Sequence, residues 1–262
     1  MILQPLDQIP LWAIFLIITL TLFTAAEIGF QLGKWGKRRS KGDEKGQAGT
    51  TMGAALGLLA FMLAFTFGNA SSIHNARKAI VLEEANAIGT AYLRAQILPE
   101  PSSSKIKGLL HEYVDLRIKG AQSINFRKQA ITRSEELNKE LWVLSVSLAK
   151  ENPDSIFAGL FVNSLNEMID LHSKRLTTAI RNRIPMSIRI TLYSVAILAM
   201  TLMGYQAGLT GVRTLVPRFA LILAFASVML LIVELDRPGK TIINVSQQAM
   251  IDLQASMDKA KL

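Results

Sequence analysis

Long uncharged runs alternate with charged segments along this chain. Four runs are apolar enough to cross a bilayer, whose hydrocarbon core takes a helix of roughly 20 residues: residues 11–32, 48–70, 190–209 and 219–233. The fourth run has only about 15 residues, so it crosses only if Arg218 extends to the headgroups and the bilayer thins. A half-inserted, buried helix is the alternative. The pattern predicts an integral membrane protein with four transmembrane helices.

The segment between the second and third runs is rich in charge and in helix-forming residues. Apolar positions recur there at helical spacing in four stretches, and no alternation of the β type occurs. The first stretch continues the second run without a proline until Pro99, which predicts one helix about 75 Å long. Further breaks are expected at Pro153 and near Pro185. Because each apolar stripe is too narrow to fold alone, the stretches should bundle into an all-α domain.

The predicted organisation has four parts. Residues 1–70 hold the first two transmembrane helices and their connecting loop, and residues 71–188 form the helical extramembrane domain. Residues 189–238 hold the third and fourth transmembrane helices, and residues 239–262 form an amphipathic tail.

The orientation prediction depends on basic residues in the short loops. The loop between the first two runs contains six of them: Lys34, Lys37, Arg38, Arg39, Lys41 and Lys45. The loop between the third and fourth runs contains Arg213 and Arg218. Because short loops rich in Lys and Arg stay in the cytoplasm, the central domain and both termini are expected on the periplasmic side of a bacterial inner membrane. Topology thus accounts for much of the net charge of +9, which argues against nucleic-acid binding.

No catalytic or cofactor-binding pattern is present in the sequence. The chain has no cysteine, which excludes disulfides and thiolate metal sites. His74, His111 and His172 lie on three different stretches without a partner at i+4, so solvated or buried histidines are favoured over a metal site. Glycine-rich phosphate loops and the Gly-x-Ser-x-Gly motif are also missing. We therefore predict neither an enzyme nor a bound cofactor.

One acid, Glu27, lies inside the first apolar run. An acid within the membrane is costly and is often functional. Its position near the end of the run also allows a plainer interpretation, in which the side chain reaches the interface toward Lys34 or Lys37.

Two neighbouring acids, Glu83 and Glu84, follow the second run. In an oligomer the two acids could form a ring that attracts ions at a pore vestibule. Arg77 is a further vestibule candidate, and the rotation of the helix decides whether the acids or Arg77 and Lys78 face the axis. Alternatively the acids belong to a solvated helix face and pair with Arg77 or Lys78.

Small residues mark two of the runs as candidates for close helix packing. Gly49, Gly53 and Gly57 form a double GxxxG pattern in the second run, and Gly204 and Gly208 repeat the motif in the third. Such glycines let helix backbones approach closely in lipid.

A line of bulky apolar residues follows the glycines in the second run. Leu59, Leu63 and Phe67 recur every four residues, and the small polar Asn69 and Ser71 come directly after them. A ring of bulky apolar side chains can gate a pore by dewetting, so these residues are a candidate neck and vestibule. The alternative is that they are lipid-facing or packed side chains.

Two segments of the chain carry a family resemblance. They read LLAFMLAFTFGNASSIHNARKAIVLEEANAIGTAYLRAQILPEP at residues 58–101 and ELDRPGKTIINVSQQAMIDL at residues 234–253. Both resemble the bacterial bestrophin-like membrane family, which is distantly similar to the bestrophin anion channels. The resemblance implies a homo-oligomer, a pentamer in bestrophins, with the second helix around an ion pore and Leu59, Leu63 and Phe67 as its neck. It also implies a cytoplasmic central domain, the opposite of the orientation that the loop charges predict.

The sequence is therefore compatible with two functions. The first is an oligomeric ion channel in the lipid bilayer, with inorganic ions as its substrates. The second is a non-conducting membrane scaffold or sensor whose helical domain binds a partner or ligand, since the apolar runs contain no polar ladder that would line a pore. Subunit number discriminates between them, because a pore requires a ring.

Overall fold

The computed structural model describes residue 7 and residues 9–37, 44–180, 182–213, 215–237 and 243–259. Within these residues the chain forms eight helices and no strand, which confirms the all-α class: α1 Leu11–Lys37, α2 Glu44–Ala95, α3 Ser102–Gln122, α4 Ile124–Glu151, α5 Ile156–Ile180, α6 Met186–Thr210, α7 Leu215–Asp236 and α8 Gln248–Lys259. The loop bases Arg38, Arg39 and Lys41 lie outside the described residues, as does the start of the predicted tail at residues 239–242.

Four of these helices, α1, α2, α6 and α7, are long and apolar enough to cross a membrane, which confirms the predicted number of spans. The fourth is longer than its apolar run, because the helix continues through Arg218 at one end and through Glu234 at the other. With 22 residues, α7 measures about 33 Å and can cross the hydrocarbon core without thinning it.

The second span belongs to a single helix of 52 residues. Nothing between Glu44 and Ala95 interrupts it, because that segment contains no proline. Pro99 and Pro101 follow its end, and α3 begins directly after Pro101. The predicted continuous helix is therefore present.

The chain divides into two compact units that share α2. One unit comprises Met1–Ile73 and Arg183–Arg237 and contains the four apolar segments; we refer to it as the membrane unit. The other comprises His74–Asn182 and Pro238–Leu262; we refer to it as the helical unit. The C-terminal helix α8, which the sequence pattern set apart as a separate tail, belongs to the helical unit.

In the membrane unit, α1 and α6 pack backbone against backbone. Gly204 lies so close to α1 that a Cβ atom there would overlap the backbone carbonyl of Ala26, and Gly208 is similarly close to Gly33. Gly29 completes the α1 side of this contact, which therefore consists of two facing GxxxG pairs. The GxxxG pair on α6 was predicted to pack closely, whereas its partners on α1, Gly29 and Gly33, were not predicted.

The helical unit encloses a core to which all five of its helices contribute. Its fully buried side chains come from successive turns of each helix: Ile88, Ile106, Leu110, Tyr113, Leu137, Leu141, Phe161, Leu165, Met168, Met250 and Met257. The predicted apolar stripes of α3, α4 and α5 supply most of this set. Two methionines of α8 complete the core, so the C-terminal segment is part of the fold of this unit.

Candidate functional site

One face of α2 is exposed within the membrane unit. Phe61 and Phe65 are 67% and 59% exposed, although both are large apolar side chains. Leu58, Gly68 and Ser72 lie on the same face and are also exposed. Steps of three and four residues keep these five positions in one row along the helix. We call this row the α2 stripe: Leu58, Phe61, Phe65, Gly68 and Ser72.

The predicted neck residues lie elsewhere. Leu59 and Leu63 are 0% and 3% exposed and belong to the core of the membrane unit. Phe67 is 38% exposed, because positions eight residues apart differ by about 80° around an α-helix. Leu59 and Leu63 therefore lie inside the subunit, away from the exposed face of α2.

The three glycines of the double GxxxG pattern on α2 make no backbone contact with another helix among the described residues. A Cβ atom at Gly53 or Gly57 would meet nothing within 4 Å, and one at Gly49 would meet only the side chain of Gln206. The double GxxxG pattern therefore marks no contact between helices of one subunit. It leaves the exposed side of α2 narrow and smooth near Leu58 and Phe61.

The predicted vestibule residues also occupy different environments. Asn69 and Ser71 are half-buried. Arg77 is buried in the helical unit, where its guanidinium donates to the backbone carbonyls of Thr178 and Asn182, at 3.4 and 3.0 Å. It therefore binds carbonyl groups at the C-terminal end of α5, where a positive charge is favourable, and does not line a vestibule.

The two acids that follow the second span do not act together. Glu83 is exposed and forms an ion pair with Lys174 at 3.0 Å. Glu84 is fully buried and forms ion pairs with Arg117, at 3.0 Å, and with Arg175. Neither acid has an ion pair with Arg77 or Lys78 among the described contacts. Because Glu84 is buried, the two acids do not lie on one exposed surface. Their observed ion-pair partners, Lys174 for Glu83 and the two arginines for Glu84, differ from the Arg77 and Lys78 that the sequence suggested.

Glu84 is the centre of a buried polar network. The Tyr113 hydroxyl donates a hydrogen bond to Glu84 at 3.0 Å and lies 2.8 Å from Nδ1 of His172. Burial and the nearby carboxylate both raise the pKa of Tyr113, so it stays a neutral donor. The Tyr113 hydroxyl has one proton, which it donates to Glu84. Its oxygen is therefore the acceptor in the contact with His172, and Nδ1 of His172 carries the proton.

Burial also controls the charge of His172. Burial, the largest cause, acts together with the positive charge of the neighbouring Arg117 and outweighs the opposing effect of Glu84, so that the pKa of this imidazole falls to about 4. His172 is therefore neutral at pH 7.

The network also reaches the C-terminal segment, because Arg175 donates to the side-chain oxygen of Gln247 at 2.7 Å. The network thus joins α2, α3, α5 and the C-terminal segment, and its role is to hold the helical unit together.

The remaining histidines show no metal site. His111 pairs with Asp258 at 2.7 Å, and His74 is largely buried on α2. In the part of the chain that the structure describes, no cluster of three or more potential metal-ligating side chains occurs.

The acid inside the first span has different partners from those expected. Oε1 of Glu27 accepts from Arg213 at 2.7 Å, and Oε2 lies 3.5 Å from Arg218. Gln31, one turn further along α1, also donates to it at 3.2 Å. The charge of Glu27 is therefore compensated from the connection between α6 and α7, and not by the bases at the end of its own helix.

The fold defines a class of helical membrane protein in which the second span and a separate helical unit share one long helix. The model of the bestrophin-like domain matches residues 11–250, so the chain belongs to the bestrophin-like family. The chain matches none of the curated proteins.

Solved structures agree with this assignment. A crystal structure of a bacterial bestrophin homologue from Klebsiella pneumoniae with a point mutation matches with a TM-score of 0.67 at 16% identity, over 96% of this chain and 98% of that one. Another mutant of the homologue gives 0.65 at 16% identity, over 94% and 97%. A structure described as a membrane protein gives 0.65 at 17% identity, over 93% and 95%. The chain thus shares the bestrophin fold along nearly its whole length.

Proposed function

We propose that this protein is an oligomeric ion channel whose pore is lined by the α2 stripe. The observation that carries the proposal is the exposure of Phe61 and Phe65 in the middle of a membrane span, on a face that the described residues of the subunit leave uncovered. The bestrophin-like family and fold support the same interpretation, because bestrophins place the second helix around the pore.

A ring of subunits would give the stripe its function. In a closed cyclic oligomer, each residue of the stripe recurs once per subunit around the axis. Phe61 and Phe65 would then form two successive apolar rings, one helical turn apart, which can close a pore by dewetting. Gly68 and Ser72 follow on the same face with small side chains, so the pore would widen and become wet beyond the rings.

The apolar neck on the second helix thus remains part of the proposal, with its position shifted by two residues. Leu59 and Leu63 pack in the core of the membrane unit, on the side of α2 that faces away from the proposed pore. The resemblance to bestrophins suggests five subunits and anions as the permeant ions. A salt gradient across the bilayer, read as the sign of the reversal potential, tests the ion selectivity.

The experiment compares two double variants in reconstituted bilayers. Phe61→Ala/Phe65→Ala should raise the conductance, because a smaller apolar ring is easier to wet. Leu16→Ala/Leu20→Ala on α1 is the control, since both side chains are exposed on a different span and their truncation should leave the conductance unchanged. The proposal fails if the purified protein is monomeric, or if neither the wild type nor the phenylalanine variant conducts.

One observation favours the scaffold or sensor as a second candidate. The helical unit exposes several large apolar side chains near the start of α5 and on α4: Trp142, Val143, Ile156, Phe157 and Leu160. Exposed apolar groups of this kind occur at protein-binding surfaces. Subunit number separates the two functions, because a monomer or dimer without conductance would support the scaffold.

A further inference from the structure

A compact charged cluster in the membrane unit has no role in the proposed pore. It consists of Glu27 on α1, Arg213 in the connection that follows α6, and Arg218 in the first turn of α7. One carboxylate faces two guanidinium groups, so the three side chains together carry a charge of about +1 at neutral pH. The end of α6 and the start of α7 place the cluster at the end of the spans, close to the headgroup region.

Arg218 lacks acceptors for two of its buried nitrogen atoms. The residue is 7% exposed, and its Nη1 is the atom that approaches Glu27. Nε and Nη2 are buried and have no hydrogen-bond partner among the described residues. A buried donor without an acceptor costs about 1–3 kcal/mol, and more when it is charged. The cluster is therefore short of an acceptor with negative charge.

The surroundings of the cluster suit the headgroup end of a lipid. The guanidinium of Arg213 is about half exposed and lies 4.9 Å from the ring centre of Phe30. That of Arg218 lies 5.5 Å from the ring centre of Phe23. Phe23 and Phe219 are themselves exposed apolar side chains, so an acyl chain could run along them while the charged group stays at the arginines.

We propose that Arg213 and Arg218 bind the phosphate of an anionic phospholipid. Basic pockets between transmembrane helices on the cytoplasmic side are typical sites for acidic lipid headgroups, and arginine suits phosphate because its planar fork donates two parallel hydrogen bonds. The phosphate would first meet the half-exposed guanidinium of Arg213, and it would supply the acceptors that Nε and Nη2 of Arg218 lack once this side chain turns toward it. Glu27 orients both guanidinium groups and, as a negative charge next to the phosphate, lowers the affinity.

The test measures lipid binding to the purified full-length chain after its lipids have been exchanged for neutral detergent. Short-chain phosphatidylglycerol should bind and raise the melting temperature, whereas phosphatidylcholine should not. Inorganic phosphate at the same concentration should also have no effect, since it lacks the acyl chains. An equal shift with inorganic phosphate would overturn the lipid assignment in favour of a free anion.

Three variants distinguish lipid binding from a purely structural role of the cluster, because the arginine variants and the Glu27 variant should change the affinity for phosphatidylglycerol in opposite directions. Each of Arg213→Gln and Arg218→Gln should weaken phosphatidylglycerol binding about fivefold, which corresponds to about 1 kcal/mol for each basic residue. Glu27→Gln should strengthen it, because it removes the competing charge. Arg189→Gln is the control, since Arg189 is another buried arginine, paired with Asp236 at the opposite end of the spans, and should leave the affinity unchanged. The proposal is overturned if phosphatidylglycerol binds Glu27→Gln and either arginine variant as tightly as it binds the wild type. Weaker binding to Glu27→Gln would also overturn it.

Discussion

Leu63 and Phe65 are two positions apart on α2 and lie in opposite environments. Leu63 is 3% exposed inside the membrane unit, whereas Phe65 is 59% exposed on the α2 stripe. Two residues along an α-helix turn the side chain by about 200°, so a shift of this size exchanges the inner and outer faces. This relation determines which apolar side chains of the second span can meet another subunit.

The first prediction concerns stability at these two positions. Leu63→Ala should lower the free energy of unfolding by about 2–5 kcal/mol, because it leaves a cavity in a packed core. Phe65→Ala should change it by less than about 1 kcal/mol in the detergent-solubilised subunit, because it removes few internal contacts. Thermal unfolding of the two variants at equal detergent concentration measures the difference. A larger loss for Phe65→Ala would show that the stripe is packed within the subunit.

The second prediction compares two glycines. Gly204→Ala should destabilise the membrane unit by about 1–3 kcal/mol, since the added methyl group overlaps the α1 backbone and the two helices must separate. Gly57→Ala should leave the stability of the solubilised subunit unchanged or slightly higher, because its Cβ atom points into open space. Melting temperatures of both variants are the measurement. Equal losses would contradict the close contact of α1 and α6.

The third prediction uses the neighbouring acids of the helical unit. Glu84→Gln should cost about 3–5 kcal/mol, because it leaves two buried guanidinium groups without their carboxylate. Glu83→Gln should cost less than about 1 kcal/mol, since its ion pair with Lys174 is exposed to solvent. Chemical denaturation followed by tryptophan fluorescence, in a background in which Trp12 and Trp35 are replaced by Phe so that only Trp142 remains, would report on the helical unit. A mild effect of Glu84→Gln would mean that the buried network does not hold the unit together.

The fourth prediction is a pH dependence due to His172. Its pKa falls from 6.5 to about 4 on folding, so between these values the unfolded chain binds a proton that the folded chain does not. Stability from this residue is therefore fully present above about pH 6.5 and is lost as the pH falls toward 4. The total loss is about 3 kcal/mol.

The control for this pH dependence is His172→Gln, which cannot titrate. Between pH 6.5 and pH 4, its free energy of unfolding should fall less steeply than that of the wild type. Parallel curves for the two proteins would mean that the pKa of His172 is the same in the folded and the unfolded state, which would contradict the prediction.

The fifth prediction is the orientation in the membrane. The chain has no cysteine, so single cysteines at Asp154 and Val212, both exposed, can be labelled selectively. An impermeant thiol reagent applied from the periplasmic side should label position 154 and spare position 212, with both labelled after permeabilisation. The reverse pattern would support the orientation of bestrophins and contradict the one inferred from loop charges.

Local patterns were sufficient to predict the helices. Prolines indicated the ends of α2, α4 and α5, and apolar stripes indicated the helices between them, because backbone breaks and amphipathic faces are properties of short segments. The start of α4 at Ile124 was not predicted, since no proline separates it from α3. Charged residues at the ends of α7 hid its full length, since hydropathy counts Arg218 and Glu234 against a span although both are buried in the structure.

Contacts between distant segments could not be derived in the same way. Periodicity showed that Leu59, Leu63 and Phe61 lie on a helix, but which side faces the interior depends on the neighbouring helices. The partner of Glu27 is similarly remote, because Arg213 lies 186 residues further along the chain. For the glycines, the motif on α2 was the more regular one, yet the close contact uses the pairs on α1 and α6.

The C-terminal helix has a consequence for the order in which the protein matures. The ribosome produces α2 to α5 first, then α6 and α7, and only afterwards α8, which carries the buried Met250 and Met257. The backbone carbonyl of Met257 also accepts a hydrogen bond from Tyr92 at 3.3 Å. A nascent chain that has not reached residue 243 therefore carries an uncovered apolar surface on its helical unit. Chaperones that recognise such surfaces should bind it until the last helix is released.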